Sequence, residues 1–191
     1  MAKRVFDVVG SLVSMAVMSP VFIVIYLAIK IEDGGSAIYR QERIGRGGKP
    51  FTLYKFRSMS VDAESDGTPV LSIHEDNRTT SVGRFMRDHH LDELPQLWNV
   101  LRGDMSFVGP RPERRYFIDR IMEKNPRYSE LYAVRPGLFS RATLYNGYTD
   151  TMEKMLVRLD MDLDYLGNHS FGGDMKIILL TAVTLLSGKK F

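Results

Sequence analysis

Asp92 and Glu93 stand side by side at the start of an apolar stretch with helical spacing, and carboxylate chemistry is best placed there. Neighbouring residues on a helix point about 100° apart, so this pair cannot form the facing carboxylates of a glycosidase and the two roles must differ. A helix N-terminus carries free N–H groups and a partial positive charge. It therefore favours a bound phosphate and keeps a nearby carboxylate ionised, ready to attack or to bind a metal. Acidic residues in a first turn are also ordinary caps, and both readings fit these two residues alone. Downstream, Gly109, Pro110, Arg111 and Pro112 set an arginine between two prolines. The rings restrict the backbone on either side, and the guanidinium fork matches phosphate oxygens. A structural turn with a surface ion pair fits the same four residues. Lys55 and Arg57 alternate with Tyr54 and Phe56. This interleaving suits nucleic acid, and equally a solvated strand face near anionic lipid or substrate. His89 and His90 lack the i, i+4 spacing of a helical metal site and read as structural. Asp174, after Gly172 and Gly173, reads as the N-cap of the last helix.

The elements that position these groups follow from periodicity. Residues 8–29 form an uncharged run of 22 residues between Asp7 and Lys30. As a straight helix it reaches roughly 33 Å, enough to cross a hydrocarbon core of about 30 Å. Pro20 in its middle predicts a bend instead, with each arm about one leaflet deep. Lys3 and Arg4 precede the run while Lys30, Arg40, Arg43, Arg46 and Lys49 follow it, so basic flanks place both ends on the cytoplasmic side. A single span and a re-entrant helix both fit, whereas the length of the run argues against a cleaved signal peptide. Residues 37–44 and 51–59, separated by Gly45 to Pro50, read as a β-hairpin whose glycine cluster is a plain turn or a phosphate cradle, and not a P-loop. Residues 61–80 read as an irregular loop and 82–89 as a short helix. Across 91–101, Leu94, Leu97, Trp98 and Leu101 bury one face, Gly103 supplies a stop, and Pro95 in the first turn puts Asp92 and Glu93 at the helix N-terminus. Further helices are expected at 113–124, 152–166 and 175–186, the last carrying an apolar run too short to span a bilayer and suited to the interface or the core.

The expected class is α+β: an N-terminal membrane helix element over 1–33, then a domain over 34–191 with a small hairpin and amphipathic or interfacial helices. The chain has 191 residues, no cysteine and a net charge of +3. Disulfides and thiolate metal sites are thereby excluded, and an anionic partner is favoured without being chosen.

In order along the chain, Ser19-Pro20, Tyr54-Lys55-Phe56-Arg57-Ser58-Met59, the block from Leu91-Asp92-Glu93-Leu94-Pro95-Gln96-Leu97-Trp98 to Leu101, Gly103-Asp104-Met105-Ser106, Val108-Gly109-Pro110-Arg111-Pro112, Arg135-Pro136-Gly137 and Asp174-Met175-Lys176-Ile177 together resemble the bacterial sugar transferase family, the monotopic phosphoglycosyl transferases. The resemblance covers nearly the whole chain. It implies that 1–33 is a re-entrant membrane helix-break-helix, broken at Ser19-Pro20 and held among the lipids of a bacterial inner membrane, and that 34–191 is a catalytic domain on its cytoplasmic face. It also implies that Asp92 attacks the β-phosphate of a nucleotide diphosphate sugar, expected to be UDP-linked, and holds the phosphosugar until a polyprenol phosphate, expected to be undecaprenyl phosphate, accepts it. Mg²⁺ would bind at Asp92 and Glu93 would assist it, while Arg111, Lys55, Arg87 and Asp174 match positions linked with substrate binding. No nucleic acid partner is expected. After Arg135-Pro136-Gly137 the chain departs from the family's common run and reads Leu138-Phe139-Ser140-Arg141-Ala142-Thr143-Leu144-Tyr145. The rival reading is a membrane-anchored scaffold for anionic lipid or nucleic acid with Asp92 as a cap; a second enzyme reading is direct transfer without a covalent intermediate.

Overall fold

The computed structural model describes residues 2–63, 71, 76–147 and 149–186. Part of the loop expected at 61–80, namely 64–70 and 72–75, lies outside the described residues. The long apolar segment forms one helix, α1 (Ala2–Asp33), 32 residues long and helical through Ser19 and Pro20. Proline cannot donate to the carbonyl four residues back, which leaves Ala16 O without its helical partner. The Ser19 hydroxyl donates to that oxygen at 2.8 Å, so the Ser-Pro pair repairs the bond it removes. The expected division into two helices is therefore absent at the level of hydrogen-bonded secondary structure.

Both ends of α1 are fastened to the rest of the chain. Near the start, Lys3 donates to Val108 O at 2.8 Å and pairs with Asp174 at 2.5 Å, while Arg4 caps the Val100 and Leu101 carbonyls at 2.6 and 2.7 Å. Buried Asp7 accepts from the Ser106 hydroxyl and the Phe107 amide, each at 3.0 Å. Toward the other end, Ile25 and Ile29 pack with Ala37, Phe56 and Met86, and Asp33 takes a two-pronged ion pair from Arg57. Between these anchors Leu12, Val13 and Val17 stay exposed.

The hairpin forms as expected from β1 (Ile38–Ile44) and β2 (Pro50–Phe56), antiparallel with Ile38 opposite Phe56 and Ile44 opposite Pro50. A 3₁₀ turn at Arg46–Gly48 closes it, with Gly47 and Gly48 at φ of 72° and 70°, where glycine alone is unstrained. Helix α2 (Ser81–Asp88) is capped by Thr80, whose hydroxyl accepts from Gly83 N at 2.9 Å. The next segment differs from expectation. Leu91–Glu93 form a separate 3₁₀ turn, and helix α3 (Gln96–Arg102) begins only after Pro95. Proline has no N–H to continue the ladder, so it starts the α-helix and leaves the two acids in the tighter turn before it.

Beyond α3 lies a parallel pair that periodicity does not announce, β3 (Ser106–Val108) and β4 (Gly137–Phe139), three residues each. The backbones of Gly109 and Gly137 come so close that a Cβ on Gly137 would stand 2.1 Å from Gly109 N. Helix α4 (Arg115–Lys124), a 3₁₀ segment (Pro126–Ala133) and α6 (Met152–Asn168) enclose one core around Ile118, Ile121 and Leu159. A short α5 (Arg141–Asn146) occupies the stretch that departs from the family pattern. The last helix, α7 (Phe171–Leu186), starts earlier than expected because Ser170 caps it: the hydroxyl accepts from Gly173 N at 3.1 Å. Asp174 is thus not the cap. Ile177 and Thr181 face inward while Leu179 and Val183 remain exposed, so the apolar run serves core and surface together.

Candidate active site

The 3₁₀ turn brings Asp92 and Glu93 to a cavity of about 610 Å³, a volume in the range of small-molecule sites. Both acids are nearly buried, 7% and 9% exposed, yet their surroundings differ. Glu93 is held by two cations: Lys55 donates to Oε1 at 2.8 Å, and Arg111 grips both carboxylate oxygens. Burial alone would raise the Glu93 pKa, but Arg111 and Lys55 outweigh it and hold the group well below the usual carboxylate range. Glu93 in turn raises the pKa of Arg111. Asp92 meets Lys55 only at 3.9 Å, beyond hydrogen-bond length. Burial dominates there, and the Asp92 pKa is pushed up to about 6 despite Lys55 nearby. Two adjacent carboxylates thus have separated roles: one a tightly paired counter-ion, the other a poised group in the cavity wall with Lys55 no nearer than 3.9 Å.

Lys55 reaches the site from β2, Arg87 from the last turn of α2, and Arg111 from the Pro-flanked loop after β3. All three line the cavity with Asp92, as the sequence expectation grouped them. Asp174 does not. It lies on α7, 3% exposed, taking Lys3 on one oxygen and the Tyr165 hydroxyl at 2.7 Å on the other. Its geometry is that of a tie between the first and last helices. The basic-aromatic strand is not a solvated face either: Phe56 and Arg57 are buried, and Arg57 is committed to Asp33 and Ser36 O.

Several cavity residues carried no signal in the sequence. Glu113, 6% exposed, accepts from Arg43, from Arg158 at 2.8 Å and from Arg114 N at 2.8 Å. Burial would raise its pKa, but Arg43 and Arg158 bring it down to about 2. Arg158 also donates to the Thr149 hydroxyl at 2.9 Å, carrying this network into the segment around α5. His90, read from the sequence as structural, stands beside the acids with a left-handed φ of 53° and lines the same space. The partners of Glu113 are 70 and 45 positions away, so no local pattern announced its role.

Among the described residues no three His, Cys, Asp or Glu side chains gather as a metal cage. Mg²⁺ does not require one: it keeps waters and commonly takes one or two carboxylates plus substrate phosphates. Asp92, whose carboxylate is not consumed by Lys55 and faces the cavity, fits such a shared site, whereas Glu93 is committed to its two cations.

The chain matches the family described as "Bacterial sugar transferase" over residues 1–188. It is 43% identical over 188 residues to the Caulobacter vibrioides UDP-glucose:undecaprenyl-phosphate glucose-1-phosphate transferase, covering 97% of this chain and 70% of that protein. The Aeromonas hydrophila UDP-N-acetylgalactosamine-undecaprenyl-phosphate N-acetylgalactosaminephosphotransferase is 36% identical over 186 residues, covering 97% of this chain and 44% of its own length. The Rhizobium leguminosarum bv. phaseoli exopolysaccharide production protein PSS is 38% identical over 195 residues, 99% of this chain and 98% of that one. Nearly the whole chain is thus similar in sequence to proteins named as sugar-phosphate transferases, of which it spans 70% and 44%. The chain belongs to the bacterial sugar transferase family.

Proposed function

We propose that this protein transfers a sugar 1-phosphate from a UDP-sugar to undecaprenyl phosphate through a covalent intermediate on Asp92. The observation that carries the reading is the contrast between the two acids lining the cavity: Glu93 saturated by Lys55 and Arg111, Asp92 with Lys55 no nearer than 3.9 Å. In the first step an Asp92 carboxylate oxygen attacks the β-phosphorus. The bond from that phosphorus to the oxygen bridging it to the α-phosphorus breaks, UMP departs with the electron pair, and an acyl phosphate bearing the sugar remains. In the second step a phosphate oxygen of the polyprenol phosphate attacks the same phosphorus. The aspartyl O–P bond breaks, giving polyprenol diphosphate sugar and the free carboxylate.

Transfer at phosphorus is helped chiefly by positioning and charge neutralisation, which Lys55, Arg87 and Arg111 are placed to supply around the diphosphate. Glu93 keeps Lys55 and Arg111 in place and shares their charge, so the cations contact phosphate without pairing fully with the nucleophile. Mg²⁺, held by Asp92 together with substrate phosphates, would offset diphosphate charge.

We further propose that α1 is re-entrant, with its middle in the cytoplasmic leaflet. At 32 residues a straight α1 reaches about 48 Å at 1.5 Å per residue. Because Lys3, Arg4 and Asp7 at one end and Ile25, Ile29 and Asp33 at the other grip one folded body, a helix crossing the bilayer would have to give up one set of anchors. The basic flanks at both ends agree with a cytoplasmic location. A lipid acceptor with its phosphate at the headgroups and a donor from the cytosol then meet at the interface.

The test is single-turnover reaction with UDP-glucose and UDP-N-acetylgalactosamine in the absence of acceptor. UMP release with a phosphosugar adduct on Asp92 by mass spectrometry, both lost in Asp92→Asn, is expected. Undiminished turnover by Asp92→Asn would overturn the nucleophile, and acceptor-dependent UMP release without an adduct would favour direct transfer.

A further inference from the structure

Helix α3 and strand β2 are joined by one side chain that neither the site nor the membrane anchor accounts for. Asn99 is completely buried in the middle of α3. Its Oδ1 accepts from Tyr54 N at 3.1 Å, and its Nδ2 donates to Thr52 O at 2.7 Å and to Asp104 Oδ2 at 3.2 Å. Successive residues of a strand direct their backbone groups to opposite edges, so Thr52 O and Tyr54 N form a same-edge pair of the kind a neighbouring strand would bind. Strand β1 occupies the other edge. The carboxamide of Asn99 offers a donor and an acceptor in one plane and thus stands in for one peptide group of an absent third strand.

The residue following Tyr54 is Lys55. Going back from Asn99, Trp98 N bonds to Pro95 O at 3.1 Å, Leu97 N to Leu94 O at 3.0 Å and Leu94 N to Leu91 O at 3.3 Å, so the turn with Asp92 and Glu93 is continuous with α3. Leu53, Leu97 and Val100 pack in one apolar cluster between these elements and set their separation. Apolar contact is non-directional and permits sliding; the two amide bonds do not.

We propose that Asn99 is a positioning residue that fixes the register of β2 against α3, and thereby the place of the Lys55 ammonium between Glu93 and Asp92. The inference rests on the covalent reading of Asp92 given above. Without Asn99, Tyr54 N and Thr52 O lose their partners, β2 shifts along α3, and Lys55 no longer divides its charge between the two acids at 2.8 and 3.9 Å. The effect falls on the rate of the first half-reaction more than on donor affinity.

The test is a double-mutant cycle on the full chain, reading UMP release and adduct formation in a single turnover with whichever of UDP-glucose and UDP-N-acetylgalactosamine the wild type uses. Asn99→Ala is expected to slow adduct formation on the order of 10- to 100-fold with donor KM changed less than about threefold, in the range that a displaced charged group produces. Made in a Lys55→Met background, it should cost almost nothing more, because its target is already gone. Should Asn99→Ala not fold, Asn99→Ser, which keeps one hydrogen-bonding atom, is used in the same cycle with a smaller expected loss. Multiplying losses in the double variant, or an undiminished rate in a folded single variant, would overturn the proposal. A wild type that forms no adduct would instead overturn the covalent reading.

Discussion

The Lys55 ammonium stands 2.8 Å from Glu93 and 3.9 Å from Asp92, so one cation serves two neighbouring carboxylates unequally. That inequality separates the acids: Glu93 is permanently ionised, while burial leaves Asp92 near pKa 6. An approaching diphosphate can then take charge from Lys55 and Arg111 without displacing a tight Asp92 pair.

Glu93→Gln should show what the counter-ion does. With its charge removed, Lys55 is free to close on Asp92 and Arg111 is no longer gripped at both oxygens. The rate of adduct formation should fall on the order of 10²-fold, as expected for a group assisting the reacting dyad, with donor KM much less affected. An unchanged rate would show that Lys55 and Arg111 keep their places without it.

Asp174→Asn should separate a tie from a binding group. Asp174 is bonded to Lys3 and Tyr165 and does not line the cavity. The variant should therefore unfold at lower temperature, because buried Asp174 loses its charge toward the partly exposed Lys3 and toward Tyr165, while the donor KM of the folded enzyme stays near the wild-type value. A large rise in KM without a loss of thermal stability would restore it to substrate binding.

Glu113→Gln should cost stability with a definite pH signature. Removing one member of a buried pair costs about 3–5 kcal/mol, and Glu113 serves Arg43 and Arg158 together. Its folded pKa, near 2, lies below the ordinary 4.5, so the ionised group contributes fully above pH 4.5. As pH falls from there through about 2, that contribution is lost. Unfolding midpoints measured against pH should show the gap between variant and wild type constant at neutral pH and closing in acid.

Gly83→Ala should act through backbone crowding. A Cβ at Gly83 would lie 1.9 Å from Ser58 O, a contact relieved only by moving α2 and the chain at Ser58 apart. Overpacking of this kind costs about 1–3 kcal/mol or more, and α2 carries Arg87 into the cavity. Both the unfolding temperature and the rate should drop; normal values for both would mean the helix shifts without consequence.

The amino-acid order alone determined a good deal: the glycine-turned hairpin, the apolar N-terminal helix, the Asp92–Glu93 pair at the start of a helical stretch, and Arg111 locked between prolines; that the pair sits in its own 3₁₀ turn and that Trp98 is exposed came only from the structure. These are local matters, decided by side-chain period, by proline's missing N–H and by glycine's freedom at positive φ. Lys55, Arg87 and Arg111 were legible as candidates because motif order carried them, not because spacing placed them together. What only the tertiary structure decided is the company each charge keeps. Nothing near Asp174 in sequence foretells Lys3, 171 positions away, nor does anything near Glu113 foretell Arg43 and Arg158. The parallel β3–β4 pair, the amide of Asn99 along β2, and α1 anchored at both ends are likewise long-range. Burial and opposite charge acquire their energies only when distant segments exclude water between them, and that exclusion makes Glu93 a fixed counter-ion and leaves Asp92 poised.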